Sequence, residues 1–598
     1  MGNQKVIIFG VDGLIPELVY RFAEQGFLPN ISRMMKKGAT SKLLPFISTW
    51  GDVNWVSFLT GQHPGNSWKG QMKPPSNKGN LLGITDELGK KCALVHFPQS
   101  VSIEDTSHFS FAPFYGGKGA PSFELASSMV FSTNLSKWPD KEKKESLGWP
   151  PAGSIAHHEK NNLSLIDKFD NQFHFIIYLN NGDEKEIFME PLDKNQIRLF
   201  LKEDQFIDIE VNHWSKWINL NFNNGEEGSV RFKLAKYDEE NGEIDLIQSQ
   251  INKIEGLGSE KNLESYLIEE CGPFVSSWTV KASPDELYYE TSYEEGEYQA
   301  MWLSKAALGL LNDKNFDLFA TVFRLNDETH HTSLGQSDPS SPFYSKEHSW
   351  IYEKNIRKSY EVLDRAVGKL LDEKKDNTTL ILASDHGDVP NEFFCDINIR
   401  LQECGLCKLD DNSNPIYSES KAYLKDDRGG LEVFVNLEGR EKSGIVPLEE
   451  YKIIQDRIFH ALNNWTHTVN SNIKNVTATT LKKQDASIIG YWGEEMGDVI
   501  FTYEQGYVWG TNKKDSIAPV SFPGANHGPQ KPTAKTSYAS NQGIIIFHGE
   551  NNKEGYKHNQ EITGPYLMSD VGKTILNILG ASDTPTIDGR LMSRLFRN

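Results

Sequence analysis

No run of roughly 18 apolar residues occurs anywhere in the sequence, so a membrane-spanning helix is not expected. The opening MGNQKVIIFG leads straight into a strand-like segment, without the charged and apolar regions of a secretory leader. Met1-Gly2 is present, but Val6 stands where a myristoylation signal needs Ser or Thr. Cysteine is scarce too. Five residues (Cys92, Cys271, Cys395, Cys404, Cys407) are an odd, scattered set, which excludes a secreted disulfide framework. Cys404 and Cys407 form a single CxxC with no second pair nearby, and two ordinary thiols explain it. These absences together lead us to expect a cytoplasmic protein.

Positive charge is also in deficit: 62 Lys and Arg face 82 Asp and Glu, a formal net charge of −20. A binder of long nucleic acid needs a basic face, so that class is disfavoured. No low-complexity tract occurs, and 38% hydrophobic content is ample for burial, so disorder is not expected. With 598 residues the chain exceeds a single ordinary core, which implies one large domain with insertions or several domains. Oligomeric state is not legible.

What is present is a recurring apolar run of strand length. VIIFG (6–10), CALVHF (92–97), FDLFATVFRL (316–325), TLILASDHG (379–387) and GIIIFHG (543–549) have this character. Strands apolar on both faces and separated by helices are the mark of a mostly parallel sheet covered on both sides. Leu18, Phe22, Leu28, Ile31 and Met34 have helical spacing with a break at Gly26. Further helices are expected at WLSKAALGLL and from about 345 to 373. We therefore expect an α/β fold, a doubly wound mostly parallel sheet with helices on both faces, interrupted by two inserted cap regions. The core would occupy 1–154, 261–411 and 521–598. Alternating stretches such as FHFIIYL and SVRFKLAKY mark a β-rich insertion at 155–260. A mixed α+β insertion would span 412–520, with LEVFVNL as a strand and an amphipathic helix near Tyr451–Leu462.

In open α/β sheets ligands bind beyond the carboxyl ends of the strands, where acidic and imidazole groups collect here. Asp12 follows the first strand; Asp327 and His331 follow a central one; Asp385-His386 precedes a glycine. Asn526-His527-Gly528-Pro529 lies in a loop rich in Gly and Pro. Singly, each has an ordinary explanation as a turn former, a helix cap or a solvated side chain. In this order, each after a strand of the right kind, they resemble the bimetal site of the alkaline phosphatase superfamily, specifically its type I phosphodiesterase and nucleotide pyrophosphatase branch. VIIFGVDGL, DVNWVSFLTGQHPG (52–65), DETHH, SDHGD, NHGP and the closing SDVGKTILNILG with Asp588-Gly589-Arg590 all carry the resemblance. NLEGREKSGIV (436–446) and Trp214-Ser215-Lys216-Trp217 are similar to cap segments of bacterial members.

The resemblance implies that one metal ion would be held by Asp327, His331 and His527 and another by Asp12, Asp385 and His386. His330 is the alternative to His331. Two divalent ions are implied, zinc being the natural inference from the His ligands, with manganese the alternative. A site of that kind cleaves a phosphodiester or pyrophosphate bond by in-line attack; phosphomonoesterase or phosphonate hydrolase activity on the same core is the alternative. The family's Thr or Ser nucleophile lies ten residues before the Gly of a Thr-Gly pair, and counting back from Gly61 reaches Gly51. Thr49 could supply the hydroxyl from a shifted loop, a water could attack beside Gly51, or the chain could be a metal-retaining sensor of a phosphorylated ligand without catalysis. Asn54 and Lys69 are candidates for contacts to phosphoryl oxygens, against capping and solvation respectively. Trp50, Trp55, Trp68 and Trp492 could stack a base, although packing is the simpler role. The C/S-x-P-x-R sequence that sulfatases need is absent.

Overall fold

The structure is a computed structural model that describes residues 4–47, 51–70, 79–98, 107–113, 122–137, 163–169, 172–202, 205–425, 428, 430–510, 514–581 and 584–597. All five apolar runs become strands of one central sheet. Its strands are β1 (Lys5–Val11), β2 (Ala39–Leu44), β3 (Cys92–Val95), β4 (Phe109–Phe111), β5 (Leu318–Phe323), β6 (Thr378–Ser384), β7 (Gly543–His548) and β8 (Tyr556–Lys557). They lie in the order β8-β2-β7-β6-β1-β5-β3-β4, and Tyr566–Leu567 also pairs with β2. The pairs from β6 through β1, β5 and β3 to β4 are parallel, whereas β7 is antiparallel to both its neighbours.

Burial explains the apolar runs. Along β1, Ile7, Phe9 and Val11 enter one core while Val6 and Ile8 enter another on the opposite face. β6 alternates likewise, with Leu380 and Leu382 on the first side and Ile381 and Ala383 on the second. Both faces are therefore dry, and no position can be polar without cost. The first face is covered by helices α1 (Pro16–Glu24), α2 (Pro29–Lys37), α4 (Glu290–Asn312), α5 (Leu325–Ser337) and α6 (Ser349–Glu373); α3 (Gly51–Thr60) and α7 (Met568–Ile578) cover the second. The break near Gly26 separates α1 from α2. Asp364 of α6 caps α2 by accepting from Ile31 N at 2.7 Å and from Asn30 N and Nδ2, placing a carboxylate against that helix's positive end.

The extra sheets form two inserted bodies, each with its own apolar core. In the first, a five-stranded antiparallel sheet runs from Asp167–Phe169 to Gln205–Glu210, beside two four-stranded sheets. These take in Glu124–Ala126 and Met129–Ser132, which pair with Ile251–Lys253 and Glu243–Gln248. The expected boundary at 154/155 lies outside the described residues. The second body joins Ala422–Leu424, Glu432–Val435, Val499–Tyr503 and Thr477–Lys482 in one sheet under the helix Tyr451–Asn463. That helix buries Ile454, Ile458, Ala461 and Leu462, the face its sequence spacing implied. Its core also draws in Cys395, Ile397 and Leu401, ahead of residue 412. Among the described residues no helix is long and apolar enough to cross a membrane.

The first body is pinned to α4 by Arg231. Its guanidinium stacks over Trp214 at 4.3 Å, Tyr298 at 4.5 Å and Trp217 at 5.0 Å. Trp214 Nε1 and Lys233 Nζ both donate to Glu294 of the same helix. Planar stacking of this kind suits arginine and not lysine.

Candidate metal centre

Adjacent parallel strands stand about 5 Å apart, so the carboxyl ends of β5, β1 and β6 present their loops side by side. Asp12 follows β1, and Asp385-His386 follow β6. β5 ends at Phe323, and α5 starts at Leu325 with Asp327 and His331 one turn apart on the same face. His527 comes from a remote loop. Ala525–Asn526 pairs antiparallel with Val389–Pro390, and Asn541 Nδ2 donates to the His527 carbonyl, which seats that loop against the one after β6.

Two glycines allow these loops to meet. A Cβ on Gly13, which has φ of +70°, would lie 2.7 Å from Asp327 Oδ1. A Cβ on Gly387 would lie 2.1 Å from the Ser540 carbonyl oxygen.

The donors fall into two groups, Asp327, His331, Asp388 and His527 in one and Asp12, Asp385 and His386 in the other, with ligand atoms in each all within 4.8 Å of one another. None of the seven is more than 9% exposed. His331 Nε2 lies 3.1 Å from Asp327 Oδ2; His386 Nε2 lies 3.2 Å from Asp12 Oδ1 and 3.3 Å from Asp385 Oδ2. At these separations both nitrogens still lack a hydrogen bond of proper angle, and Asp327 Oδ1, Asp385 Oδ2 and Asp388 Oδ1 are buried with no hydrogen-bond partner among the described residues. Two ligands bound about 2.0–2.1 Å from a tetrahedral cation sit about 3.3 Å apart, so these spacings are those of atoms that share an ion. The residues present therefore fit a metal.

Tautomers agree. His331 Nδ1 is 2.7 Å from the Ala525 carbonyl and His386 Nδ1 is 3.1 Å from that of Gly387, so each Nδ1 carries the proton and each Nε2 turns a lone pair inward. His527 stacks on His386 with ring centroids 3.5 Å apart, and burial pulls its imidazole down to about 3. Burial, then the charges of Asp12 and Asp327, hold the Asp385 carboxyl well above the usual range. Such crowded carboxylates require positive charge between them.

His330 is turned away from the centre. Its Nδ1 lies 3.1 Å from Asp388 Oδ2 and its Nε2 3.1 Å from Tyr360 Oη. Two residues of the site escaped the sequence reading. Asp388 is three positions after Asp385 in the quoted SDHGD, a signal that was visible but carried no assigned role. Arg324, directly after β5, reaches Glu328 Oε1 at 3.4 Å and Asp12 Oδ2 at 3.9 Å.

Thr49, with Ser48 and Trp50, lies outside the described residues, and Gly51 is the first residue of α3. Asn54 is fully buried, and its Oδ1 accepts from Phe46 N at 2.9 Å. Lys69 is exposed. Trp55 and Trp68 are buried, with Trp55 edge-on to Phe58 and Phe97, while Trp492 covers Gly65 and donates from Nε1 to Asn66 Oδ1.

A doubly covered, mostly parallel sheet with carboxylates and imidazoles converging beyond its strand ends is an alkaline phosphatase-like fold. The chain belongs to the type I phosphodiesterase / nucleotide pyrophosphatase family, whose sequence profile matches residues 6–68 and 257–530, more than half of its length. It is thereby a phosphoric ester hydrolase in general class. No curated protein matches the sequence. Among solved structures it is similar to wild-type alkaline phosphatase PafA, at 14% identity and a TM-score of 0.44 over 100% of both chains. It is also similar to human ectonucleotide pyrophosphatase / phosphodiesterase 5, at 12% and 0.44 over 100% of both. A third is the phosphonoacetate hydrolase of Sinorhizobium meliloti 1021, at 12% and 0.43 over 96% of both.

Proposed function

We propose that this protein hydrolyses a phosphodiester or pyrophosphate bond in a small soluble phosphorylated substrate, at a centre that holds two divalent cations. Asp327, His331 and His527 would hold one, and Asp12, Asp385 and His386 the other. Zinc suits the mixture of imidazole and carboxylate, with manganese as the alternative. The observation that carries this reading is the convergence of buried, unpartnered donor atoms spaced 3.1–3.3 Å from their neighbours.

Such a pair of cations supplies charge neutralisation at the nonbridging oxygens and at the attacking and leaving oxygens of an in-line displacement. The chain's own residues do the rest. Burial of the donors keeps bulk water away from them, and Arg324 beside Asp12 and Glu328 carries positive charge at the edge of the centre. We assign the attacking hydroxyl to Thr49 and contacts to phosphoryl oxygens to Asn54 and Lys69. Gly51 at the start of α3 favours a second reading, a metal-retaining sensor of a phosphorylated ligand, because a binder needs no hydroxyl there.

The test is hydrolysis of bis-p-nitrophenyl phosphate beside p-nitrophenyl phosphate, with zinc or manganese, by the wild type, Asp385→Ala and Thr49→Ala. Diesterase activity lost in both variants supports the reading in full. Loss in Asp385→Ala alone removes Thr49 as nucleophile. No turnover of either ester, with metal still bound, favours the sensor.

A further inference from the structure

We infer that Asp388 is a fourth protein ligand of the cation held by Asp327, His331 and His527, which makes the two halves of the centre chemically unequal. The inference rests on the two-cation reading above and adds to it a residue with no other explanation in the fold.

A chain of hydrogen bonds fixes one side of this carboxylate. Ile15 N donates to Tyr360 Oη at 3.2 Å, which leaves the phenol proton for His330 Nε2 at 3.1 Å. His330 Nδ1 must then carry the ring's proton, and it donates to Asp388 Oδ2 at 3.1 Å. Three residues from separate segments thus hold one oxygen of Asp388 in place. The other oxygen, Oδ1, is buried and has no hydrogen-bond partner among the described residues, and the residue itself is fully buried. A bare carboxylate oxygen in a dry site is costly, and it is retained where a cation answers it. One carboxylate oxygen of Asp388 also lies within 4.8 Å of ligand atoms of Asp327, His331 and His527, which all lie within that distance of one another.

Charge supports the same assignment. Without Asp388 the Asp327 half would set a single carboxylate against a divalent ion in a buried site. With it, each half has two carboxylates and each divalent charge is matched. If Asp388 served only to accept from His330, a backbone carbonyl would do as well, and the position of Oδ1 would be unexplained.

The consequence is a division of labour. Asp, Asp, His and His would fill the four positions that zinc prefers, so a substrate oxygen would join the Asp327 half only as a fifth ligand. The Asp12 half has three protein donors, and a substrate oxygen would enter there as a fourth ligand.

The test uses chelator-stripped full-length protein titrated with Zn²⁺ and with Co²⁺, by calorimetry and visible absorption. Asp388→Asn removes the charge and keeps an acceptor for His330; His330→Gln loosens the brace and keeps the ligand. In the wild type two ions should bind per chain. In Asp388→Asn one step should weaken at least 100-fold and the other by less than 3-fold, with a changed cobalt spectrum for the weakened step, while His330→Gln should lose less than Asp388→Asn. Two steps of wild-type affinity in Asp388→Asn would overturn the assignment, as would an equal loss in both variants. A wild type that binds no divalent ion sinks the two-cation reading itself, which is a different result. If the variants do not fold, a zinc-soaked crystal of the wild type decides: Asp388 Oδ1 about 2.0–2.2 Å from the ion supports the inference, and a separation beyond about 3 Å overturns it.

Discussion

His386 Nε2 lies 3.2 Å from Asp12 Oδ1, at the end of the neighbouring parallel strand, without the angle of a hydrogen bond. The two side chains face a common point rather than each other. Folding alone brings these buried carboxylates together, so an ion that binds only the folded state should stabilise it. At a hundredfold excess over its dissociation constant the gain is about 2.7 kcal/mol. We expect zinc or manganese to raise the thermal midpoint of stripped wild type and to raise that of Asp12→Asn by less, since the Asp327 half still binds an ion. Scanning fluorimetry with and without metal checks this, and equal shifts in both proteins would remove Asp12 from the ligand set.

A second expectation concerns Gly387, between His386 and Asp388. An added methyl would meet the Ser540 carbonyl at 2.1 Å and that of Gln542 at 2.9 Å, both backbone atoms that cannot swing aside. Gly387→Ala should cost about 1–3 kcal/mol as an overpacked site. Because the loop carries donors on both sides, metal affinity should fall with stability. Urea unfolding and metal titration of the same sample measure the two effects, and a variant with unchanged affinity would mean that the strain is absorbed elsewhere.

How much of this was legible beforehand follows from burial. β1, β3, β5, β6 and β7 could be read because both faces are dry, which forces continuous apolar runs of strand length. β2, with the sequence ATSKLL, and the three-residue β4 gave no such signal. Strand direction was invisible, since alternation of side chains is the same in either sense, and β7 proved antiparallel. Asp12, Asp327 and Asp385 could be picked out because they follow strands immediately. Asp388 could not, because its role depends on how a loop folds back against the one carrying His527. The α5 start after β5 could have been read from the four-residue spacing of Asp327 and His331, which is one helical turn. Strands as short as Glu124–Ala126 are beyond periodicity, so the reach of the first inserted body was open.

Arg231 offers a test of how that body is held. Its flat guanidinium covers three aromatic rings at 4.3–5.0 Å, and an ammonium cannot reproduce that stacking. Arg231→Lys should keep the charge and still lose about 1–2 kcal/mol. Loosening should be local. Limited proteolysis should cut the variant first between about 124 and 253, with the central sheet intact, and a variant cleaved like the wild type would show that the apolar core of the inserted sheets suffices.

Glu295 gives the pH dependence. Fully buried on α4, it accepts from Thr279 N at 2.8 Å, yet burial pushes its carboxyl up to about 7 from an ordinary 4.5, with the Arg231 charge only partly opposing this. Below about pH 4.5 the folded and unfolded states both hold the proton, so this group adds no slope. Between about 4.5 and 7 only the folded state holds it, and stability falls by up to about 1.4 kcal/mol per pH unit. Above 7 both states have lost it, and a cost of about 3 kcal/mol is complete. Glu295→Gln keeps an acceptor for Thr279 and cannot ionise, so the variant should gain on the wild type by roughly 1–3 kcal/mol between pH 5 and pH 8. Urea unfolding of both proteins at the two pH values measures that difference. A constant gap would mean that Glu295 is ionised throughout, held by Arg231 more strongly than its burial opposes.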